Sequence, residues 1–341
     1  MKKILVSIIG YKEGDLLGTV KDCYDKAKNK EGILFSIVEE HYPDSYSDLS
    51  FIPEEQIIYR KFDLSKYRGI LWARDLTTKE LPFNYDYVLY ICGHTRFEKD
   101  WDEICIKEYY NILQNSRSEK AVLSFQSPMF EVNEDGTLEF EKNVGPKVNT
   151  YYPRLDVTKD FGYDFAPGYW FPDVREVPTD KDFTQSYWIH FTWCFASKEF
   201  VEDVPFDTSI GWTAEEIYCS IQAWSKGWKI FAIPTKLYYH HTIRKYPGEK
   251  ELRNDTHRPW ADKNKDSYWA NVDYSILRLN KLLSGMLEDE DRFKISKDVV
   301  LDYCRESGLN TKYTEYDPNY HNLDNYQQRK HLRNAKPISD I

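Results

Sequence analysis

The stretch YVLYICGHTRFEKDWD, residues 87–102, decides the fold. It begins with a strand-like run, and polar side chains follow directly where that run ends. The run 87–91 is apolar and aromatic, which is typical of a strand covered on both faces. It stops at Cys92 and His94, at the strand end where α/β sheets collect their ligands. Many metal enzymes place an acidic ligand there, so the stretch raises the question of whether it belongs to a metal site.

Strand-like and helix-like patterns alternate in front of this stretch. Apolar strand-like runs occupy 3–9, 33–38 and 56–61, and apolar residues recur at helical spacing from 16 and at 70–79. This alternation predicts an α/β fold, Rossmann-like, with a mostly parallel sheet flanked by helices. The carboxyl end of the first strand then places Tyr11 and Glu13 on the same rim as Cys92 and His94.

The second half begins with irregular sequence and then becomes regular again. Residues 130–186 are aromatic and rich in turns, as in loops that bind or cover a ligand. In the sequence TAEE, Thr213 and Glu216 have the spacing of a capping box that begins a helix, and Gly227 stands where that helix would end. Further regular segments are expected at 188–196, 229–233 and 236–240.

The character of the chain changes near residue 250. Apolar residues recur at intervals of three and four up to Gly285, and another helix is expected after Ser296. These patterns predict a sheet domain over 1–250 and a helical extension over 251–341.

Composition narrows the class of protein. The chain has 341 residues, 41% of them hydrophobic, and a formal net charge of −10, which argues against a surface made mainly for nucleic-acid phosphates. Its six cysteines are scattered without a CxxC pair, which favours a reducing, cytoplasmic setting. No window approaches the roughly 20 apolar residues of a membrane span, so no membrane partner is expected. The first apolar run is interpreted as a strand rather than a signal peptide.

Three stretches carry a family resemblance: GILWARDL at 69–76, the stretch 87–102, and GWTAEEIYCSIQAWSKGWKIFAIPTKLYYHHTIRK at 211–245. Together they resemble the GT-A-fold glycosyltransferases that use nucleotide sugars. They look closest to the family of the cytoplasmic hydroxyproline N-acetylglucosaminyltransferases, and more distantly to the polypeptide N-acetylgalactosaminyltransferases. The resemblance covers about residues 3–245.

The resemblance implies a set of residues that bind the donor. The turn after the first strand points to Tyr11 and Glu13. The helix before the strand at 87–91 contributes Arg74, in the family's setting after Trp72. A planar guanidinium suits a diphosphate or ribose contact.

The resemblance also implies a metal, Mn²⁺ or Mg²⁺. The family uses Asp-x-His at the strand end and a distant histidine; His94 matches the first histidine, and His240 or His241 the second. Cys92 stands in place of the aspartate, either as a bystander or as a thiolate ligand.

Acidic and aromatic residues complete the expected site. Glu215 and Glu216 match the family's acidic pair near the donor sugar and acceptor, and Glu215 is the stronger catalytic candidate because Glu216 fits a helix cap. The acceptor is expected to contact Trp193, Tyr169 and Trp170.

The expected activity is transfer of a hexosyl, N-acetylhexosaminyl or pentosyl group from a UDP-sugar to a hydroxyl acceptor, with the resemblance implying retention. A protein, a glycan or a hydroxymethylated DNA base all remain open as acceptor. The alternative is a non-catalytic protein that binds nucleotide sugars or glycans and has a degenerate metal site.

Overall fold

The structure is a computed structural model. It describes residues 2–64, 68–133, 135–142, 144–150, 173–211, 214–241, 271, 274–275, 278–279 and 281–307.

Strands and helices alternate through the first half of the described chain. The strands are β1 Ile4–Tyr11, β2 Ile33–His41, β3 Ile57–Asp63, β4 Tyr87–Cys92, β5 Thr95–Phe97, β6 Ala121–Ser124, β7 Phe130–Val132, β8 Leu138–Phe140, β9 Lys147–Thr150, β10 Asp173–Glu176, β11 Thr184–Ser186, β12 Trp193–Ser197, β13 Lys229–Ala232 and β14 Tyr238–His240. The α-helices are α1 Leu16–Lys26, α2 Ile70–Thr78, α3 Trp101–Asn115, α4 Glu199–Asp203, α5 Glu215–Ser225 and α6 Lys297–Ser307.

An eight-stranded sheet forms the centre, in the order β11-β13-β6-β12-β4-β1-β2-β3. The pairs β1–β2, β1–β4, β2–β3 and β13–β6 are parallel. Only β12, against β4 and β6, and β11, against β13, are antiparallel in this sheet. The predicted α/β class, with a mostly parallel sheet flanked by helices, is confirmed.

Strand β4 is covered on both faces, as its unbroken apolar sequence predicts. Leu89 and Ile91 point into one hydrophobic core, where residues of α1 and α3 also pack. Val88 and Tyr90 point into the opposite core, where residues of α2, α5 and α6 pack. Because all four are fully buried, β4 leaves only its carboxyl end open for function.

Helix α5 ends as expected, and the described part of the chain beyond 250 packs on it. Gly227 follows the helix with a φ of 80°, a left-handed conformation that glycine adopts readily. The side-chain amide of Gln222, in α5, donates to the carbonyl of Phe293 at 2.7 Å. Leu283 and Tyr303 lie in the same hydrophobic core as residues of the sheet. The helix expected after Ser296 is α6. A domain division at 250 stays a prediction, because residues 242–270 lie outside the described residues.

Two features differ from the sequence prediction. Helix α3 begins inside the stretch 87–102 and was not predicted; its first residue, Trp101, is fully buried and donates an indole hydrogen bond to the Cys23 carbonyl at 2.9 Å. The described parts of 130–186 contain the paired strands β7–β8 and β9–β10, so this region is more regular than loops alone.

Candidate active site and metal centre

Parallel pairing brings the first half of the site together. Ile9 of β1 lies opposite Cys92 of β4, so the loop after β1 and the turn after β4 leave the sheet side by side. A Cβ built at Gly93 would lie 2.8 Å from Glu13 Cγ, a distance that real Cβ atoms essentially never show. Glycine at this position therefore allows the two loops to touch.

A small separate ladder brings in the distant histidine. Strands β5 and β14 pair antiparallel, with His240 opposite Thr95, and the His241 amide donates to the His94 carbonyl at 3.1 Å. The rings of His94 and His240 lie 4.6 Å apart between centroids. Two segments that are 146 residues apart in sequence thus present imidazoles to each other.

Cys92, His94 and His240 form a group, called here the Cys-His-His group, whose ligand atoms all lie within 4.8 Å of one another. Of the two histidines that the sequence left open, His240 belongs to this group. The ring of His241 instead lies against Phe130, with 5.0 Å between centroids. One sulfur and two imidazole nitrogens are suitable donors for a divalent metal ion, so the residues present could hold one.

Glu13 lies behind His94. It is only 4% exposed, and its Oε2 lies 2.7 Å from His94 Nδ1. A proton shared along this contact holds Nδ1 and directs Nε2 away from the carboxylate, as in carboxylate–histidine–metal arrangements. The sequence predicted that Glu13 contacts the donor, whereas the structure places its carboxylate against an imidazole.

A buried ion pair fixes the same loop and was missed at the sequence level. Asp15 Oδ1 lies 2.6 Å from Arg96 Nη2, and burial raises the pKa of Asp15 while Arg96 opposes that rise. A Cβ at Gly18 would meet both Asp15 Oδ1 and, at 2.6 Å, Arg96 Nη2. The glycine in α1 therefore leaves room for the pair, a requirement visible only once the loops are placed.

The acidic pair lies in the first turn of α5, and its two carboxyl groups have different environments. Glu216 accepts hydrogen bonds from the Trp188 indole at 2.8 Å and the Phe191 amide at 3.0 Å, and its Oε1 lies 3.7 Å from His190 Nδ1. Burial acts to raise the pKa of Glu216, but these contacts, that with His190 foremost, bring it below its ordinary value. Glu216 thus holds the 188–191 segment as an ionised carboxylate. The capping box predicted for it pairs it with Thr213, which lies outside the described residues.

Glu215 shows the opposite behaviour. Burial, and then the charge of Glu216, raise the pKa of Glu215 to about 8, against the opposing charge of Arg74. Its Oε2 has no hydrogen-bond partner among the described residues. At neutral pH this position therefore holds a neutral carboxyl group with unused hydrogen-bonding capacity.

Arg74 connects the acidic pair with the metal-ligand side chains. It is fully buried, its Nη2 donates to the Phe191 carbonyl at 2.9 Å, and its guanidinium carbon lies 4.5 Å from the Phe191 ring centroid. The thiol of Cys92 lies 3.7 Å from the same carbonyl oxygen. Arg74 Nε and Nη1 have no hydrogen-bond partner within the described chain, so the guanidinium keeps two donor positions for a further group.

The other predicted donor residues lie along the rim towards β3. Tyr11 ends β1 opposite Glu40 of β2. Trp72 packs edge-on against Phe62 at 5.0 Å, and the guanidinium of Arg68 lies 5.4 Å from the Trp72 ring. Arg68 also pairs with Glu40 at 3.2 Å, while burial raises the pKa of Glu40 to about 7. This part of the rim therefore offers aromatic faces and charged groups together.

The predicted acceptor residues are not assembled by the described structure. Trp193 is fully buried and stacks on Tyr238 with ring centroids 4.6 Å apart, because strand alternation in β12 points it into the core. The expectation that Trp193 contacts an acceptor is thereby corrected. Tyr169 and Trp170 lie outside the described residues.

Comparison with known proteins identifies the family. The model of the family described as Glycosyltransferase (GlcNAc) matches residues 44–310, well over half of the chain. The chain belongs to this glycosyltransferase family. The narrower assignment to the hydroxyproline N-acetylglucosaminyltransferases stays a prediction. No curated protein matches the chain in sequence.

Several solved structures are similar to this chain at low identity. "Crystal structure of GalNAc-T7 with UDP, GalNAc and Mn2+" is 13% identical, with a TM-score of 0.44 over 96% of this chain and 58% of that one. S. aureus TarS 1-349 is 13% identical, with a TM-score of 0.45 over 98% and 78%. Its complex with UDP-GlcNAc is 12% identical, with a TM-score of 0.43 over 98% and 79%. The chain thus spans less than two thirds of the GalNAc-T7 chain.

One further finding concerns membranes. Within the described residues, every helix is too short or too polar to cross a bilayer.

Proposed function

We propose that the protein transfers a sugar from a UDP-sugar donor to a hydroxyl group of an acceptor. Family membership supports sugar transfer. The observation that carries the proposal is the junction at the Phe191 carbonyl, which lies within 2.9 Å of Arg74 Nη2 and 3.7 Å of the Cys92 thiol. This junction joins metal-ligand side chains, a buried cation and an acidic pair at the carboxyl end of β4, where an α/β sheet binds its ligand.

The Cys-His-His group is the proposed metal centre, with His94 and His240 as imidazole ligands. A divalent cation held there would neutralise charge on the nucleoside diphosphate leaving group. Glu13 fixes the orientation of the His94 ring through the 2.7 Å contact with Nδ1. Arg74 adds a permanent positive charge beside the same group, with Nε and Nη1 available to a polar ligand.

The two residues of the acidic pair have different proposed roles. Glu216 positions the 188–191 segment through its bonds to Trp188 and Phe191. Glu215, whose pKa is raised to about 8, carries a proton at neutral pH and can donate a hydrogen bond to a sugar or acceptor hydroxyl. Glu215 is therefore the proposed catalytic residue of the pair.

The donor and acceptor are proposed at the level of chemical class. Tyr11, Trp72 and the rim near β3 are proposed to hold the nucleotide. The acceptor carries a hydroxyl group and is a protein, a glycan or a hydroxymethylated DNA base, with Tyr169 and Trp170 as proposed contacts. Retention of the anomeric configuration is proposed from the resemblance to the GT-A glycosyltransferases described above.

The test is release of UDP from a panel of UDP-sugars by the purified full chain, with Mn²⁺, Mg²⁺ or Zn²⁺ added in turn. Steady release by hydrolysis or transfer is expected for at least one sugar. Glu215→Gln is expected to reduce the rate while donor binding, measured by calorimetry, persists. Donor binding without turnover for every sugar, ion and acceptor would refute the enzymatic proposal.

The second candidate is a non-catalytic protein that binds nucleotide sugars or glycans. Cys92 favours this second candidate, because a thiol stands where the family that the sequence resembles has a carboxylate. Binding without turnover in the same panel would support this candidate. Absence of both binding and turnover would refute the two together.

A further inference from the structure

We infer that the Cys-His-His group is a thiolate site that selects a borderline ion of the Zn²⁺ type over Mn²⁺ and Mg²⁺. The inference deepens the proposed function by naming the ion class, and it rests on that function only in assuming that a divalent ion binds here. The site would then differ in chemistry from the carboxylate site that the resemblance implies.

The spacing of the three donors fits one tetrahedral ion. Bond lengths of about 2.3 Å to sulfur and about 2.0–2.1 Å to imidazole nitrogen put neighbouring ligand atoms about 3.3–3.6 Å apart. The ligand atoms of Cys92, His94 and His240 lie within 4.8 Å of one another, so side-chain adjustments of about an ångström bring them onto an ion. Three protein ligands leave a fourth position open, as in catalytic zinc sites.

The donor set is wrong for a hard ion. Mg²⁺ and Mn²⁺ prefer carboxylate, carbonyl and water oxygens, whereas thiolate and imidazole favour Zn²⁺. The carboxylate of Glu13 lies against His94, with its Oε2 2.7 Å from Nδ1. In that place it strengthens His94 as a nitrogen ligand, which suits a zinc-type ion.

The position of Cys92 sets it apart from the other cysteines. It is partly exposed at the carboxyl end of β4, whereas the other five are buried. Its thiol lies 3.7 Å from the Phe191 carbonyl oxygen, as a weak sulfur donor, and that oxygen also accepts the 2.9 Å bond from Arg74. On metal binding the Cys92 proton passes to solvent and the sulfur forms the new bond, while the Phe191 carbonyl keeps its partner Arg74.

The test uses Co²⁺ alone as a spectroscopic probe for the Zn²⁺-type site, on the metal-free full chain and without any sugar. We expect a thiolate-to-cobalt charge-transfer band in the near ultraviolet and intense visible bands of tetrahedral Co²⁺. Added Zn²⁺ should displace the Co²⁺ and abolish both sets of bands, whereas an excess of Mn²⁺ should leave them unchanged. Cys92→Ser should remove the charge-transfer band, while Cys304→Ala, in α6, should keep it.

A second variant reports on selectivity. Changes in the surroundings of a metal ligand shift affinity by about 10–100-fold, so replacing a true ligand should cost at least as much. We expect Cys92→Asp to weaken Zn²⁺ by at least that factor and to strengthen Mn²⁺, both measured by calorimetry. Circular dichroism verifies that the variants fold. The Co²⁺ spectrum of the wild-type chain tests the thiolate site even if a variant fails to fold.

Two outcomes would overturn the inference. One is Co²⁺ bound with weak octahedral bands and no charge transfer, and the other is a wild-type chain that binds neither Co²⁺ nor Zn²⁺. UDP release is measured separately, so turnover with Mn²⁺ and without a thiolate band would refute the thiolate site and leave sugar transfer standing. A thiolate band without any turnover would support the thiolate site and count against sugar transfer.

Discussion

Gly93→Ala should weaken metal binding at the proposed centre without replacing any of its ligands. The new Cβ would lie 2.8 Å from Glu13 Cγ, 3.3 Å from the Ile9 carbonyl oxygen and 3.4 Å from Leu16 Cδ1. The backbone oxygen and the core leucine leave little room for the alanine to move, so Glu13 must shift. Its carboxylate would then leave His94 Nδ1.

The expected size follows from two effects. Overpacking of a buried site costs about 1–3 kcal/mol, and losing the partner that orients a metal-bound histidine costs about 10–100-fold in metal affinity. We therefore expect the free energy of unfolding to fall by about 1–3 kcal/mol in urea titrations. Calorimetry should show Zn²⁺ affinity falling by about 10–100-fold.

Gly145→Ala is the matched control, because a Cβ at that position meets no atom of the described residues within 4 Å. It should leave both measurements close to wild type. Equal stability and equal metal affinity in the two variants would show that Glu13 does not support His94, and the reasoning would fail.

Three more predictions concern the acidic pair and α1. Glu215 has a raised pKa in the folded chain, so its contribution to stability is full below its unfolded value and lost as pH rises through about 8. Glu215→Gln should remove this loss between about pH 5 and 8 in urea titrations, and parallel pH curves for wild type and variant would contradict it. Glu216→Ala leaves the Trp188 indole without its acceptor and should cost about 1–3 kcal/mol of unfolding free energy, more than Glu216→Gln, which keeps an acceptor oxygen; equal losses would argue against the hydrogen bonds. Gly18→Ala forces the Asp15 side chain aside and should lower the thermal midpoint, while an unchanged midpoint would show that the ion pair has room.

The strands could be predicted because their sequence pattern is local. The apolar runs that predicted β1, β2 and β4 bury both faces of each strand, and such runs are readable without a partner. Helix α3 escaped prediction because Asp100, before it, has left-handed backbone geometry and offers no side-chain cap. Its buried residues Trp101, Cys105, Tyr109 and Ile112 nevertheless recur at helical spacing, a local signal that the sequence prediction did not use.

The candidate site was only partly predictable, for a physical reason. His94 lies at a strand end, and that position alone predicts a ligand rim. The choice between His240 and His241 depends on the β5–β14 register, which follows from pairing across the chain. The burial of Trp193 likewise depends on which face of β12 meets the core, and residue type does not fix that.

The different protonation of Glu215 and Glu216 explains how two adjacent carboxyl groups can share one buried helix terminus. Two negative charges on adjacent buried residues repel each other, so one carboxyl group stays neutral unless nearby groups compensate its charge. The hydrogen-bonding groups and the His190 ring contact Glu216, through the Trp188 indole, the Phe191 amide and a 3.7 Å approach, whereas Glu215 has the opposing charge of Arg74 and no hydrogen-bond partner for its Oε2 among the described residues. Glu215 is therefore left as the proton carrier beside Arg74, and the residues of 188–191 decide which of the two carboxyl groups keeps its proton.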